Sequence, residues 1–248
     1  MIRVVDLHKS FGRQHVLRGV NLELEAGKIT TIIGGSGSGK TVLLKHLNAL
    51  LLPDRGSVFV GDRDITKLGQ TALNEVRRKF GVLFQGAALL DSMTIYDNVA
   101  FPLRETTRLK EPEIEKKVNE SLAQVGLAGA GYKFPAEVSG GMKKRAGLAR
   151  ALVIQPEIML FDEPTTGLDP LLGKSIHQLI RKVHATYKFT GVIVSHDIPE
   201  VFQISDRIAM LADGVIIEVG STEEFLASRN PVVKQFVHGE TEGPIAVL

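Results

Sequence analysis

The sequence predicts an α/β fold with a largely parallel central sheet, and three observations point to it. Short β-branched runs alternate with amphipathic helical patterns along most of the chain. One such run, Thr30-Thr31-Ile32-Ile33, leads into a glycine cluster and then a helical stretch. The 248 residues, 44% apolar and 23% charged, suffice for one large domain or two modest ones with a sizeable core.

Taken in order, the strand signals fall at 20–24, 30–33, 58–60, 82–84, 158–161 and 192–194. A helix from Thr41 to about Leu50 would put Leu43, Leu44, Leu47 and Leu50 on one face for packing against the sheet. Between Gly86 and Val138 the strand signals vanish, and 114–125 reads as an amphipathic helix rich in Glu and Lys. That stretch is expected to be a helical subdomain inserted into the α/β domain, with hinges at Gly86 and Val138. Alternation resumes at Ile158 and runs to about Val219. Residues 239–248 lack periodicity and read as a tail. Its apolar tip, Ile245-Ala246-Val247-Leu248, leaves docking on a partner and disorder both open.

Composition removes several classes of function. The net charge is +2 with acids and bases interspersed, which offers no stripe for nucleic acid. With no cysteine, disulfides, thiolate metal sites and cysteine nucleophiles are excluded together. Met1-Ile2-Arg3-Val4-Val5-Asp6 lacks the apolar run of a signal peptide. No uninterrupted apolar stretch approaches the roughly 18 residues of a membrane span, so a membrane role would be played from outside the bilayer.

The glycine cluster is Gly34-Gly35-Ser36-Gly37-Ser38-Gly39-Lys40-Thr41, which fits G-x-x-x-x-G-K-[ST]. Phosphate requires several backbone N–H groups aimed at one point, and a glycine-rich loop curls tightly enough to supply them. The following helix adds the positive end of its dipole. Lys40 is suited to reach the β- and γ-phosphates, and the Thr41 hydroxyl to hold Mg²⁺. Placed between a β-branched strand and an amphipathic helix, the loop marks a P-loop nucleoside-triphosphate site rather than a plain glycine turn.

Ile158-Met159-Leu160-Phe161-Asp162-Glu163 is an apolar strand ending in two carboxylates. Asp162 is expected to approach Mg²⁺, and Glu163 to orient and deprotonate the attacking water. A second strand delivers Ser195-His196-Asp197, where His196 could contact the γ-phosphate and sense its loss. Gln85, after Val82-Leu83-Phe84, could offer an amide oxygen to Mg²⁺ or water. In Val138-Ser139-Gly140-Gly141-Met142-Lys143-Lys144-Arg145, Ser139 is suited to cap a helix that leaves the Gly140 and Gly141 N–H groups facing an anion. Taken alone, each of these segments has a plain structural reading as a strand end, a loop residue or a capped helix.

Their order is what carries the reading, and in it the chain resembles the ATP-binding subunits of ABC transporters over residues 1–238. Residues 34–41 resemble Walker A, Gln85 the Q-loop, and Ser139-Gly140-Gly141-Met142 the signature. Residues 158–162 resemble Walker B, with Glu163 as the catalytic carboxylate, 166–169 the D-loop and His196 the switch histidine. Val42 continues the nucleotide-contacting run, and Phe11 sits where the family places a ring against adenine. The resemblance implies a RecA-like P-loop core (1–85 and 155–222), a helical subdomain (86–154), an N-terminal antiparallel β subdomain and a tail (239–248). It further implies ATP and Mg²⁺ as cofactors. The working unit would be a homodimer in which Ser139, Gly140 and Gly141 of one copy meet the nucleotide of the other. Met142, Val138, Val42 and Thr166-Gly167 depart from the commoner family residues, none at a catalytic group.

Phe84-Gln85-Gly86-Ala87-Ala88-Leu89-Leu90-Asp91-Ser92-Met93-Thr94, continuing through Asp97-Asn98-Val99 to Glu105, narrows the resemblance. With the signature and the tail, it is similar to the MlaF-type ATPases of Mla and Mce phospholipid-trafficking systems. Such a relation implies an integral permease of the MlaE type whose coupling helix meets segment 86–105. A periplasmic lipid-binding subunit of the MCE type and a small cytoplasmic accessory subunit belong to the same expectation. The chain would then lie peripherally on the cytoplasmic face of the inner membrane. Two alternatives share the catalytic motifs: the ATPase of an amino-acid or ion importer, and a non-transport regulator of cell division.

Overall fold

The computed structural model describes residues 1–245, so all but the first residue of the apolar tip lies outside the described residues. In chain order the first elements are β1 (Ile2–Phe11), β2 (Gln14–Leu24), β3 (Ile29–Ile33), α1 (Lys40–Leu47), β4 (Arg55–Val60), β5 (Arg63–Asp64) and α2 (Gln70–Arg77). Then come β6 (Phe80–Leu83), α3 (Ile95–Thr106), α4 (Glu111–Gln124), α5 (Gly140–Leu152), β7 (Ile158–Asp162) and α6 (Pro170–Tyr187). The last are β8 (Thr190–Val194), β9 (Arg207–Ala212), β10 (Val215–Gly220), α7 (Thr222–Leu226) and α8 (Pro231–His238). Two compact units divide them: one holds Met1–Arg77 with the chain from Thr190 onward, the other Arg78–Phe189.

The first unit contains an antiparallel sheet in the order β2-β1-β4-β5. Its second sheet segment runs β10-β9-β3-β8, with β3 parallel to both β8 and β9 and β10 antiparallel to β9. Every residue of β3 and of β8 is buried, which is why both read as continuous apolar or β-branched runs rather than alternating ones. Strands β9 and β10 extend the sheet beyond the strand signals found from sequence.

Helix α1 packs Leu43, Leu44 and Leu47 inward, each burial stabilising by about 2 kcal/mol. Leu50 departs from the expectation, because the helix ends at Asn48 and Ala49 turns left-handed. The Asn48 Oδ1 accepts the Leu50 N–H, and the Leu50 side chain stands 51% exposed.

In the second unit β6 and β7 pair in parallel with Leu83 opposite Phe161, so Gln85 and Glu163 leave the same end of neighbouring strands. Helix α5 packs against α3, α4, α6 and β6. The spacing of Gly141, Lys144, Gly147, Leu148 and Ala151 along it gives one buried face. A Cβ at Gly147 would stand 3.0 Å from Leu83 Cδ1 and 3.1 Å from Ala87 Cβ, which is how closely α5 approaches the chain after β6.

Candidate functional site

The phosphate loop lies in the first unit and is closed by its own lysine. Lys40 is 8% exposed, and its Nζ donates to the Gly34 carbonyl at 2.8 Å and the Gly35 carbonyl at 2.9 Å. The Ser38 N–H donates to Gly35 O, and the Leu43 N–H to Gly39 O, so the curl continues into α1. Gly34 has φ +156°, and a Cβ there would fall 2.3 Å from the Leu211 carbonyl oxygen. Gly39 has φ +100°, and its Cβ would meet Val16 at 2.9 Å. Only glycine satisfies both positions. The buried Ser38 Oγ has no hydrogen-bond partner, and nothing crowds the Cα of Gly35 or Gly37. A curled backbone with an orphaned hydroxyl and a buried ammonium is chemically fitted to the phosphates of a nucleotide. Thr41 and Val42, at the start of α1, are half-buried.

Two further predicted residues belong to this unit. Phe11 ends β1 opposite Gln14, 47% exposed, with the Lys9 ammonium 5.6 Å from its ring centre. His196 follows β8 and is exposed, on a turn where Ser195 Oγ accepts the Asp197 N–H at 3.0 Å. The Ser195 N–H donates to Ile32 O, which ties that turn to the strand feeding the phosphate loop.

The second unit gathers the remaining predicted residues. Asp162 and Glu163 end β7 and are 8% and 9% exposed. Glu163 has φ +48°, an uncommon conformation for a side chain of this size and of the kind found where geometry serves a site. The Thr166 N–H donates to Glu163 O, and the Thr166 hydroxyl donates to Glu163 Oε2, both at 3.3 Å. Asp169 caps α6, accepting from the Leu171 and Leu172 N–H groups at 3.0 Å.

Ser139 caps α5 as expected, its Oγ accepting the Met142 N–H at 3.3 Å. Ser139 and Gly140 are exposed, whereas Gly141 is buried beside Leu172. A Cβ at Gly140 would stand 3.5 Å from Leu168 Cδ2. The side chain of Gln85 is exposed, but its carbonyl accepts from the Lys144 ammonium. Lys144 also donates to Glu163 O at 3.3 Å. Burial pushes the pKa of Lys144 down, while the Glu163 and Asp162 carboxylates pull it back up.

Three residues that hold this unit together were not singled out from sequence. Arg150 donates to Ala88 O at 2.7 Å and Ala87 O at 2.8 Å, and burial pushes its pKa down. Asn98 is fully buried; its Oδ1 accepts the Leu90 N–H and its Nδ2 donates to the carbonyls of Leu90, Met93 and Thr94. Lys144 is the third. In sequence it lies inside the basic run Lys143-Lys144-Arg145. The small residues Gly141 and Gly147, spaced around it on the buried face of α5, were the available signal.

A family model described as ABC transporter matches residues 17–166, more than half of the chain. The probable ribonucleotide transport ATP-binding protein mkl of Mycobacterium tuberculosis (strain ATCC 25618 / H37Rv) is 47% identical, over 99% of this chain and 68% of that protein. The intermembrane phospholipid transport system ATP-binding protein MlaF of Haemophilus influenzae is 42% identical, over 99% of this chain and 93% of that one. Among solved structures, the dimeric post-hydrolysis ATP-binding cassette MJ0796 bound to ADP and Pi superposes with a TM-score of 0.82 at 32% identity. That match covers 89% of this chain and 98% of the cassette. A curled phosphate loop, two carboxylates at a strand end, a serine-capped signature helix and these likenesses converge, and the chain belongs to the ABC transporter family as an ATP-binding, ATP-hydrolysing subunit.

Proposed function

We propose that this chain works as a homodimer that drives phospholipid transport through a separate membrane permease. The observation that carries the pairing is the end of α5. Ser139 and Gly140 are exposed there at the positive end of a 13-residue helix, and the Ser139 hydroxyl already caps its own helix. An anion brought by a second copy is the ligand such a helix end suits. That the MJ0796 cassette is dimeric supports the pairing.

In this reading Gly34, Gly35, Ser36, Gly37, Ser38 and Gly39 line the phosphates with backbone N–H groups. Lys40 exchanges its carbonyl partners for the β- and γ-phosphates. Phe11 stacks on the base, and Val42 sits beside the nucleotide at the start of α1. Thr41, Gln85 and Asp162 present a hydroxyl, an amide oxygen and a carboxylate, the hard oxygen donors that fit Mg²⁺. When bound, Mg²⁺ offsets the charge on the β- and γ-phosphate oxygens. Glu163 orients the attacking water and takes its proton, its carboxylate fixed by Thr166. His196 contacts the γ-phosphate and registers its departure.

Phospholipid as cargo is supported by the MlaF relative, matched over 93% of its length. The mkl relative, more identical but matched over 68% of its length, bears a ribonucleotide transport name, so a nucleotide cargo is the second reading. Among the described residues no helix is long and apolar enough to cross a membrane; in the proposed reading the cargo path lies in another chain. That chain is expected to be of the MlaE type, with an MCE-type subunit and a small accessory subunit, on the cytoplasmic face of the inner membrane. Purification of the tagged chain from membranes should bring a permease and bound phospholipid. Recovery of a permease with no lipid would end the phospholipid reading. Mixing Lys40→Ala and Ser139→Ala chains should restore one working site per dimer, and absence of any recovery would remove the in-trans role of Ser139.

A further inference from the structure

Helix α5 reaches the backbone carbonyl of Glu163, the proposed base of its own subunit, through a buried lysine. Lys144 is the fifth residue of α5 and only 5% exposed, an uncommon place for an ammonium. Its Nζ donates to two backbone carbonyls, those of Gln85 and Glu163. These carbonyls lie 59 and 19 residues away in sequence, at the ends of the adjacent parallel strands β6 and β7. Two charge-assisted bonds from one ammonium fix the spacing of the two segments.

The neighbouring geometry makes that spacing sensitive to α5. Gly147, one turn further on, lets the helix approach Leu83 and Ala87 closely. Arg150 holds two further carbonyls of the same loop, at Ala87 and Ala88, both in the left-handed conformation. Glu163 is itself left-handed, so its carboxylate direction depends on how its backbone is held. Hydroxyl and amide bonds from Thr166 hold one side of it, and Lys144 holds the carbonyl from the other.

We propose that Lys144 is a positioning residue that fixes Gln85 and Glu163 at one spacing and links both to the signature helix. A displacement of Ser139 on loss of its anion is then carried along α5 to the group that aligns water. The proposal rests on the roles given above to Gln85, Glu163 and Ser139.

The test uses the full chain with MgATP as the probe. Lys144→Met keeps the stem and removes all donors; kcat should fall about 30-fold, with KM for ATP within about twofold. Lys144→Arg, which restores charge and donors, should return kcat to within about threefold of the parent. Hydrogen exchange gives a readout independent of Glu163 chemistry. Lys144→Met should speed amide exchange about tenfold or more at 85–88 and at 163–166 together, and Lys144→Arg should restore it. An unchanged kcat, a KM rising in step with the loss, or unaltered exchange at either segment overturns the proposal. Glu163→Gln assayed alongside separates the two readings: normal turnover there removes Glu163 as base, while the exchange data still decide Lys144. Should Lys144→Met not fold, Lys144→Gln, with a shorter reach and an amide donor, is read on the same two measurements.

Discussion

The phosphate loop and the strand end that carries Glu163 are built on opposite plans. The loop closes on itself: Lys40 reaches back five and six residues to Gly35 and Gly34, and glycines absorb the backbone conformations the curl demands. Glu163 stands instead on bonds from Thr166 and Lys144, with its strand paired to a segment 78 residues earlier in register. A self-closed loop binds phosphate wherever its flanking strand and helix form. An assembled end depends on several segments being held at one spacing, and in the proposed mechanism that dependence is what would allow it to be switched.

The comparison is best broken at its two ends. The largest effect is expected from Glu163→Gln, which removes the proposed base and should cost about 10²- to 10⁴-fold in turnover while ATP binding survives. Equilibrium binding beside steady-state hydrolysis measures both. Lys40→Ala acts on the other region and should weaken ATP binding about 100-fold, because the proposed charge-assisted phosphate contact would be lost. ATP affinity retained by that variant would show that the loop does not depend on its lysine.

Smaller effects sharpen the contrast within the assembled region. Asn98→Ala removes four side-chain hydrogen bonds to the loop at 90–94, although the Leu90 and Thr94 carbonyls keep backbone N–H partners, and should destabilise the chain by about 2–4 kcal/mol, read by urea unfolding. Arg104 bridges Asp97 of α3 and Glu111 of α4 at 3.0 Å, but all three are more than a third exposed. Solvent screening should hold the cost of Arg104→Ala below about 1 kcal/mol. The smallest effect follows from pH. The Thr94 hydroxyl, and then Arg104, hold the Asp97 carboxyl below its usual pKa, and Arg104 does the same for Glu111. A carboxylate with a depressed folded pKa contributes stability above its unfolded value, and that contribution is lost as pH falls through the folded one. The melting temperature should therefore decline below about pH 4, and less steeply in Arg104→Ala.

How much of this was legible follows the same division. Residues 34–41 announce a nucleotide loop because phosphate binding by backbone N–H groups needs glycines at local spacing, and local spacing is written in sequence. Ser139 as a helix cap was readable for the same reason: a side-chain oxygen three residues before the amide it satisfies. Leu50 was misread because apolar periodicity does not reveal where Asn48 and a left-handed Ala49 end a helix. Asn98 gave no signal, since an asparagine before Val99 looks like any polar helix position until the loop at 90–94 folds over it.

The amino-acid sequence by itself determined the family, the glycine loop at 34–41, the carboxylate pair and the Ser139-capped helix, because each is a short-range pattern with a short-range physical cause. Only the tertiary structure decided that Lys144 lies buried against the Gln85 and Glu163 carbonyls, and that Arg150 holds Ala87 and Ala88. An ammonium finds such partners only when two parallel strands and a glycine-thinned helix face bring distant carbonyls within reach of one nitrogen.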